Sequence, residues 1–261
     1  MLTIEDTGSG ENLLLLHGLT ATRRYVLQGS RLLAREGCRL VSYDARAHGE
    51  SDPAEEPGAY EYSDLARDAV AVIEERGLSS AVLIGHSMGA ATAVRVALER
   101  PELVKALVQI TPAYAGEPYL EDSALAYWDR LAAGLESDGV DGFMRAFEAP
   151  GDPRWREAVL KFTRQRIERH RHPEALAQAV RVVPRSEAFD GLDALAQIDV
   201  PVLVIGSRDD ADPNHPLAVA EEYARRLPRV TFVVEDEGDP PLAWQGAQLS
   251  RAILDWLRRQ A

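Results

Sequence analysis

Six short apolar runs, each closed by turn residues, punctuate this chain: Leu13 to Leu16, Leu40 to Tyr43, Ala81 to Ile84, Leu103 to Ile110, Val202 to Ile205 and Val230 to Val234. Short runs that are apolar throughout, rather than alternating with polar residues, belong to strands covered on both faces. Strands of this kind separated by helical stretches build a mostly parallel sheet with crossover helices packed on it. The stretch "SDLARDAVAVIEERG" has the features of such a crossover helix. A serine stands at its head as a cap, Leu65, Ala69, Val72 and Ile73 share one face, and Gly77 ends it. Near the end of the chain, Leu249, Ile253, Trp256 and Leu257 form a stripe that a helix would lay on the sheet.

Strand-like runs stop after Ile110 and resume at Val202, and the stretch between them reads as helical. The expected organisation is a core formed by residues 1–114 and 191–261, with residues 115–190 inserted as a helical cap. Phe143, Phe147, Phe162, Phe189, Trp128 and Trp155 all lie in that insertion. A lid over an apolar pocket accounts for them, as does a lid with a small core of its own. A chain of 261 residues, 46% hydrophobic, has enough apolar material for one sizeable core. Its formal net charge of −13 repels phosphate backbones and anionic lipid, so neither nucleic acid nor a membrane surface is an expected partner. The single cysteine, Cys38, sits in an apolar run and reads as a small buried hydrophobe. The start, "MLTIEDTGSG", lacks the basic and apolar regions of a signal peptide, and no stretch approaches the roughly 20 apolar residues of a membrane span. A soluble cytoplasmic protein with a small, apolar ligand is expected, and the oligomeric state is left open.

The most informative stretch is "VLIGHSMGAATAVRVAL". An apolar strand ends at Gly85, a sharp turn carries Ser87, and helical composition follows from Ala90, which is the strand–turn–helix setting a G-x-S-x-G nucleophile requires. Gly85 and Gly89 leave room for a strained turn that presents the Ser87 hydroxyl, and the N–H of Met88 can face a developing oxyanion. The bland alternative is a serine that merely caps the helix. In "LLLLHGLTAT" a second strand runs into His17 and Gly18, a turn whose Leu19 N–H can supply another oxyanion donor. His17 reads as a structural histidine, and Arg46 and His48 in "YDARAHGESD" as residues that tie their own loop together.

With these pieces in place, the chain resembles the α/β-hydrolases over nearly its whole length. "HGLT", "DARAHGES", "GHSMGA" and "PVLVIGSRDDADPNHP" stand in that family's order and spacing, with a cap inserted where the family inserts one. In the second motif Ala47 stands where the family usually has glycine. The resemblance implies an α/β-hydrolase fold, a mostly parallel doubly wound sheet with an inserted helical cap, and a serine hydrolase that acts on a small carboxylic ester or related acyl compound. It further implies an acid on the turn after the strand Val202 to Ile205. Asp209, three residues after Gly206, matches the pattern, and its neighbours Asp210 and Asp212 stand as alternatives. Such a carboxylate would orient a histidine and stabilise its imidazolium.

That histidine is absent. In the family it follows the next strand, commonly just after a glycine. Here "RVTFVVEDEG" leads to Gly238 and then Asp239, and none of the six histidines lies beyond His215. Histidine serves because its pKa of about 6.5 lets it accept and return a proton near neutrality, whereas an aspartate, at about 3.9, is a weaker base. Three resolutions are open. A displaced base, among His86, His215, His170 and His172, can reach Ser87. Alternatively, Asp239 approaches Asp209, and like-charge repulsion lets the pair share a proton. Or the chain hydrolyses little and is a small-molecule binding protein or a histidine-lacking variant of an enzyme. Lyase or cofactor-independent oxidative chemistry would show as product formation that survives loss of the Ser87 hydroxyl. No glycine-rich phosphate loop, metal-ligand spacing or dinucleotide fingerprint occurs, so no cofactor or metal is expected.

Overall fold

The computed structural model describes residues 1–119, 121–149, 152–208, 212 and 214–260. Seven strands form one sheet: β1 (Ile4–Gly8), β2 (Glu11–Leu16), β3 (Cys38–Tyr43), β4 (Ala81–His86), β5 (Val104–Ile110), β6 (Val202–Ile205) and β7 (Val230–Val233). Their spatial order is β1-β3-β2-β4-β5-β6-β7, with β1 antiparallel to β3 and every other pair parallel. Helices pack on both faces: α1 (Leu32–Arg35) and α8 (Gly246–Arg258) on one, and α2 (Tyr62–Glu75), α3 (Met88–Glu99) and α7 (Leu217–Arg226) on the other. Successive side chains of a strand point to opposite faces, so each inner strand must be apolar throughout to be buried twice. In β2, Leu14 and Leu16 join the cluster under α2 and α3, while Leu13 and Leu15 join the cluster under α8. The stripe of Leu249, Ile253 and Trp256 is buried in that second cluster.

Two sequence expectations need correction. The strand β1 was not expected, because its sequence, IEDTG, is polar and mostly exposed; an edge strand is held by its ladder to β3 rather than by burial. The α2 helix begins two residues earlier than its serine suggests. Its cap is Glu61, which forms a reciprocal capping box with Asp64, and Ser63 lies inside the first turn.

Between β5 and β6 the chain forms α4 (Asp122–Ala146), α5 (Pro153–Ile167) and α6 (Pro173–Val182). The α4 helix breaks at Asp138 and Gly139, where φ of +55° suits only glycine without strain, and its two halves then fold against each other. They approach so closely through Gly134 and Gly142 that a Cβ on either would collide with the other's carbonyl oxygen. Leu131, Leu135, Phe143, Ile167, Leu176 and Val180 form a separate apolar cluster here. Among the described residues no helix is long and apolar enough to cross a membrane.

Candidate active site

The carboxyl ends of β2, β4 and β5 and the helices inserted after β5 enclose a cavity of about 440 Å³, in the size range of small-molecule sites and at the strand ends where open α/β sheets bind ligands. Ser87 lies in its wall, at the turn between β4 and α3. Its backbone is at φ 52° and ψ −112°, a conformation that costs a non-glycine residue on the order of 1–3 kcal/mol. The turn is held from several sides. The Ser87 N–H donates to the Ile110 carbonyl at 3.0 Å. A Cβ on Gly85 would lie 2.3 Å from the Gly89 carbonyl oxygen, and one on Gly89 would lie 2.2 Å from that of Leu16. The side chain thus projects from a forced elbow into the cavity. Its hydroxyl has no hydrogen-bond partner among the described residues.

Gly18 closes the other side of this elbow, since a Cβ there would stand 3.3 Å from that of Ser87. Leu19 and Met88 both line the cavity, and Met88 is the first residue of α3, where an amide lacks an intrahelical acceptor. The Leu19 amide donates no hydrogen bond among the described residues. Both residues thus line the same cavity as Ser87, and neither amide has a hydrogen-bond acceptor among the described residues. The turn that carries Leu19 is anchored by His17, whose Nδ1–H donates to the Gly18 carbonyl at 2.8 Å while Nε2 accepts from the Ala45 N–H at 2.9 Å. The His48 Nδ1–H donates to the Arg46 carbonyl at 2.9 Å, within their own loop, whereas the Arg46 side chain pairs with Asp68 of α2 at 2.7 Å and so ties the loop to that helix. At Ala47 the backbone takes φ 64°, in the left-handed region where glycine is the usual residue.

Asp209 and Asp210 lie outside the described residues. Their neighbour Asp212 is described, and it faces the cavity region through His215: the His215 Nδ1–H donates to the Asp212 Oδ2 at 2.8 Å. His215 lines the same cavity as Ser87, and its ring centroid is 5.4 Å from that of His86. Burial works to raise the Asp212 carboxyl. The charge and hydrogen bond of His215, with the charges of His86 and Arg166, outweigh it and hold the carboxyl below its ordinary range. With Nδ1 protonated and bound to Asp212, the His215 Nε2 is left as an acceptor.

The other histidines are unsuited to this task. Burial first, and then neighbouring His215, pulls His86 down to about 3, so it is a feeble base near neutrality. His170 has both ring nitrogens engaged, accepting from the Gly49 N–H at 2.9 Å and donating to the Thr20 carbonyl at 3.0 Å. His170 belongs to the charged stretch "ERHRHPE", which follows α5. It pins the inserted helices to the core, and the Arg171 N–H adds a bond to the Gly49 carbonyl at 2.8 Å. His172 does not line the cavity.

Asp239 is not brought to the cavity. It is exposed, in a turn whose N–H bonds back to the Asp236 carbonyl at 3.1 Å, just after Gly238 with φ 86°. The carboxylate that this segment turns inward is Glu235, which accepts from the Arg208 N–H at 2.7 Å and the Leu242 N–H at 3.2 Å. Glu235 thus clamps the β6 and β7 loops together. Of the aromatic residues noted in the insertion, Trp128, Phe143 and Phe147 wall the cavity, whereas Phe189 packs in the main core beside Tyr114. Arg166 in α5 also lines the cavity, and sequence reasoning did not single it out. The signal was its phase: it lies one turn from Phe162 and adjoins the buried positions Thr163 and Ile167.

Comparison with known proteins adds the following. The alpha/beta hydrolase fold family model matches residues 11–247. A 2-(acetamidomethylene)succinate hydrolase of Mesorhizobium japonicum is 27% identical over 243 residues, covering 91% of this chain and 84% of that protein. A thermophilic esterase from Thermogutta terrifontis, solved with malate bound, is 28% identical and superimposes with a TM-score of 0.79 over 99% of this chain and 93% of its own. An esterase from Exiguobacterium antarcticum, 22% identical, shares the fold with a TM-score of 0.78, covering 98% of this chain and 95% of its own.

Proposed function

The chain belongs to the α/β-hydrolase-fold family, and on that premise we propose that it is a serine hydrolase cleaving a small carboxylic ester or related acyl compound, with His215 as the base. The observation that carries the reading is the strained Ser87 elbow opening into the same cavity as a histidine hydrogen-bonded to a carboxylate. The relatives support the reaction class, one being named for hydrolysis of an acetamido compound and another as an esterase.

In this mechanism the Ser87 hydroxyl attacks the acyl carbon while His215 Nε2 takes its proton, directly in the closed complex or through one water. Nucleophile and base are often loosely placed in a resting site and tighten only with substrate. Asp212 holds the His215 tautomer and stabilises the imidazolium as it forms. The negative charge that develops on the carbonyl oxygen is received by the Leu19 and Met88 amides. His215 then protonates the leaving group, and a water activated by the same residue cleaves the acyl-enzyme. His215 thus replaces the histidine that the family carries after β7.

Steady-state hydrolysis of 4-nitrophenyl acetate tests this. Ser87→Ala and His215→Gln should each lower kcat by about 10³-fold or more, and the double variant little further, because the two act as one unit. A His215→Gln protein that keeps full kcat while Ser87→Ala is inactive would remove His215 from the mechanism. Ligand binding with no Ser87-dependent turnover at all would leave a binding protein instead.

A further inference from the structure

Among the described residues, Arg166 is a cation with no anion to hold. It projects from α5 into the cavity wall; its Nε is shielded from solvent and lacks a hydrogen-bond partner among the described residues. Its guanidinium makes no ion pair within 4.0 Å there either. Arginines without an ion pair elsewhere among the described residues, such as Arg24 and Arg251, are exposed to solvent, whereas half-buried ones are occupied: Arg23 by Asp44 and Glu50, Arg39 by Asp6, Arg46 by Asp68, and Arg181 by Glu136. In a chain of net charge −13, carboxylates are plentiful, so an unpaired arginine on a cavity wall does not result from a shortage of acids. Asp212 acts on it through space and is itself hydrogen-bonded to His215. A charge withdrawn from water without a partner is costly, and an incoming anion removes that cost.

We propose that Arg166 receives a carboxylate of the substrate, so that the compound cleaved is a small acyl compound with a free carboxylate, such as the half-ester of a short dicarboxylic acid. This deepens the serine-hydrolase reading and rests on it. The planar guanidinium matches a carboxylate with two parallel N–H···O bonds. Trp128, Phe143 and Phe147 wall the same cavity, which suits an apolar linker. One guanidinium suits a monoanion; a phosphate dianion would call for further cations, and His86 is held neutral. The other carboxylates of the cavity, Glu117 and Glu121, are exposed, where solvent and salt screen them.

The test compares monomethyl succinate with methyl butyrate, which differ chiefly in the terminal carboxylate, by following methanol release in wild type, Arg166→Gln and Arg166→Lys. Wild type should favour the charged ester roughly 10- to 100-fold in kcat/KM, the range of a charge-assisted hydrogen-bonded contact. In Arg166→Gln the ratio should fall to about one, with Arg166→Lys, which keeps the charge but loses the fork, between them. The readout is the ratio within each variant, because a merely structural role for Arg166 would lower both rates in proportion and overturn the proposal. A wild type without preference overturns it equally. If neither ester is cleaved, calorimetry of succinate binding to Ser87→Ala decides the anion site: binding that is lost on adding Arg166→Gln upholds it and no binding overturns it, while the hydrolase reading stands or falls on Ser87-dependent cleavage of 4-nitrophenyl acetate.

Discussion

Ser87 and Asp239 show how differently one residue can be specified. Ser87 sits where glycines on either side exclude any wider turn, so a five-residue pattern places its hydroxyl. Asp239 stands at a familiar position in the sequence, yet its neighbourhood is organised by Glu235, and its own carboxyl faces solvent. Under the proposed mechanism, Asp239→Asn and Asp239→His should leave kcat within about twofold of wild type, as for exposed substitutions away from a site. Asp212→Asn should lower kcat by about 10²- to 10⁴-fold, because an amide no longer fixes the His215 tautomer or balances its charge. Steady-state kinetics on all three variants checks both statements; rescue of activity by Asp239→His would return the base to its family position.

Among elements, the strands and crossover helices were the legible part, because burial on both faces demands unbroken apolar runs and a covering helix demands a stripe. The polar edge strand β1 carried neither mark, since half of its pairing partners are absent and solvent satisfies the rest. The elbow between β4 and α3 depends on an approach of elements that no periodicity reports. Gly89→Ala tests it: the new Cβ would meet the Leu16 carbonyl, part of a buried strand that cannot yield, at 2.2 Å. Urea denaturation should show a loss on the order of 3 kcal/mol or more, at the upper end of single substitutions. A Gly89→Ala protein as stable as wild type would mean that the elbow is looser than this packing.

At the scale of the molecule, His170 joins the inserted helices to loops of the core, and the withdrawal of several histidines from water makes stability depend on pH. Burial is the first cause that lowers His17, His48, His86 and His170, the last to about 4, against about 6.5 in an unfolded chain. Between those values the unfolded chain binds more protons than the folded one, so stability rises with pH through the window and is lost as pH falls from about 6.5 towards 4. Relief of acidic self-repulsion works in the opposite direction, which makes the informative quantity a difference. The fall in Tm from pH 7 to pH 4.5 should be smaller in His170→Gln than in wild type, by calorimetry; equal falls would mean that His170 does not carry this dependence.

Sequence by itself determined the sheet, the helical insertion and the serine elbow. Each follows from interactions between near neighbours in the chain or from a period of burial, and both leave a local trace. Which histidine shares the cavity with the serine and is also bonded to a carboxylate is visible only in the tertiary structure. The sequence held Asp212 as one of three candidate acids and His215, separately, as one of four displaced bases; they are three residues apart in an acidic loop, and nothing local distinguishes a solvated pair from one beside a cavity. The same holds for Arg166, an ordinary member of a charged helix until packing of α5 leaves it facing the cavity without a partner. The physical reason is common to both: the meaning of a charged group depends on what surrounds it, and those surroundings come from distant parts of the chain.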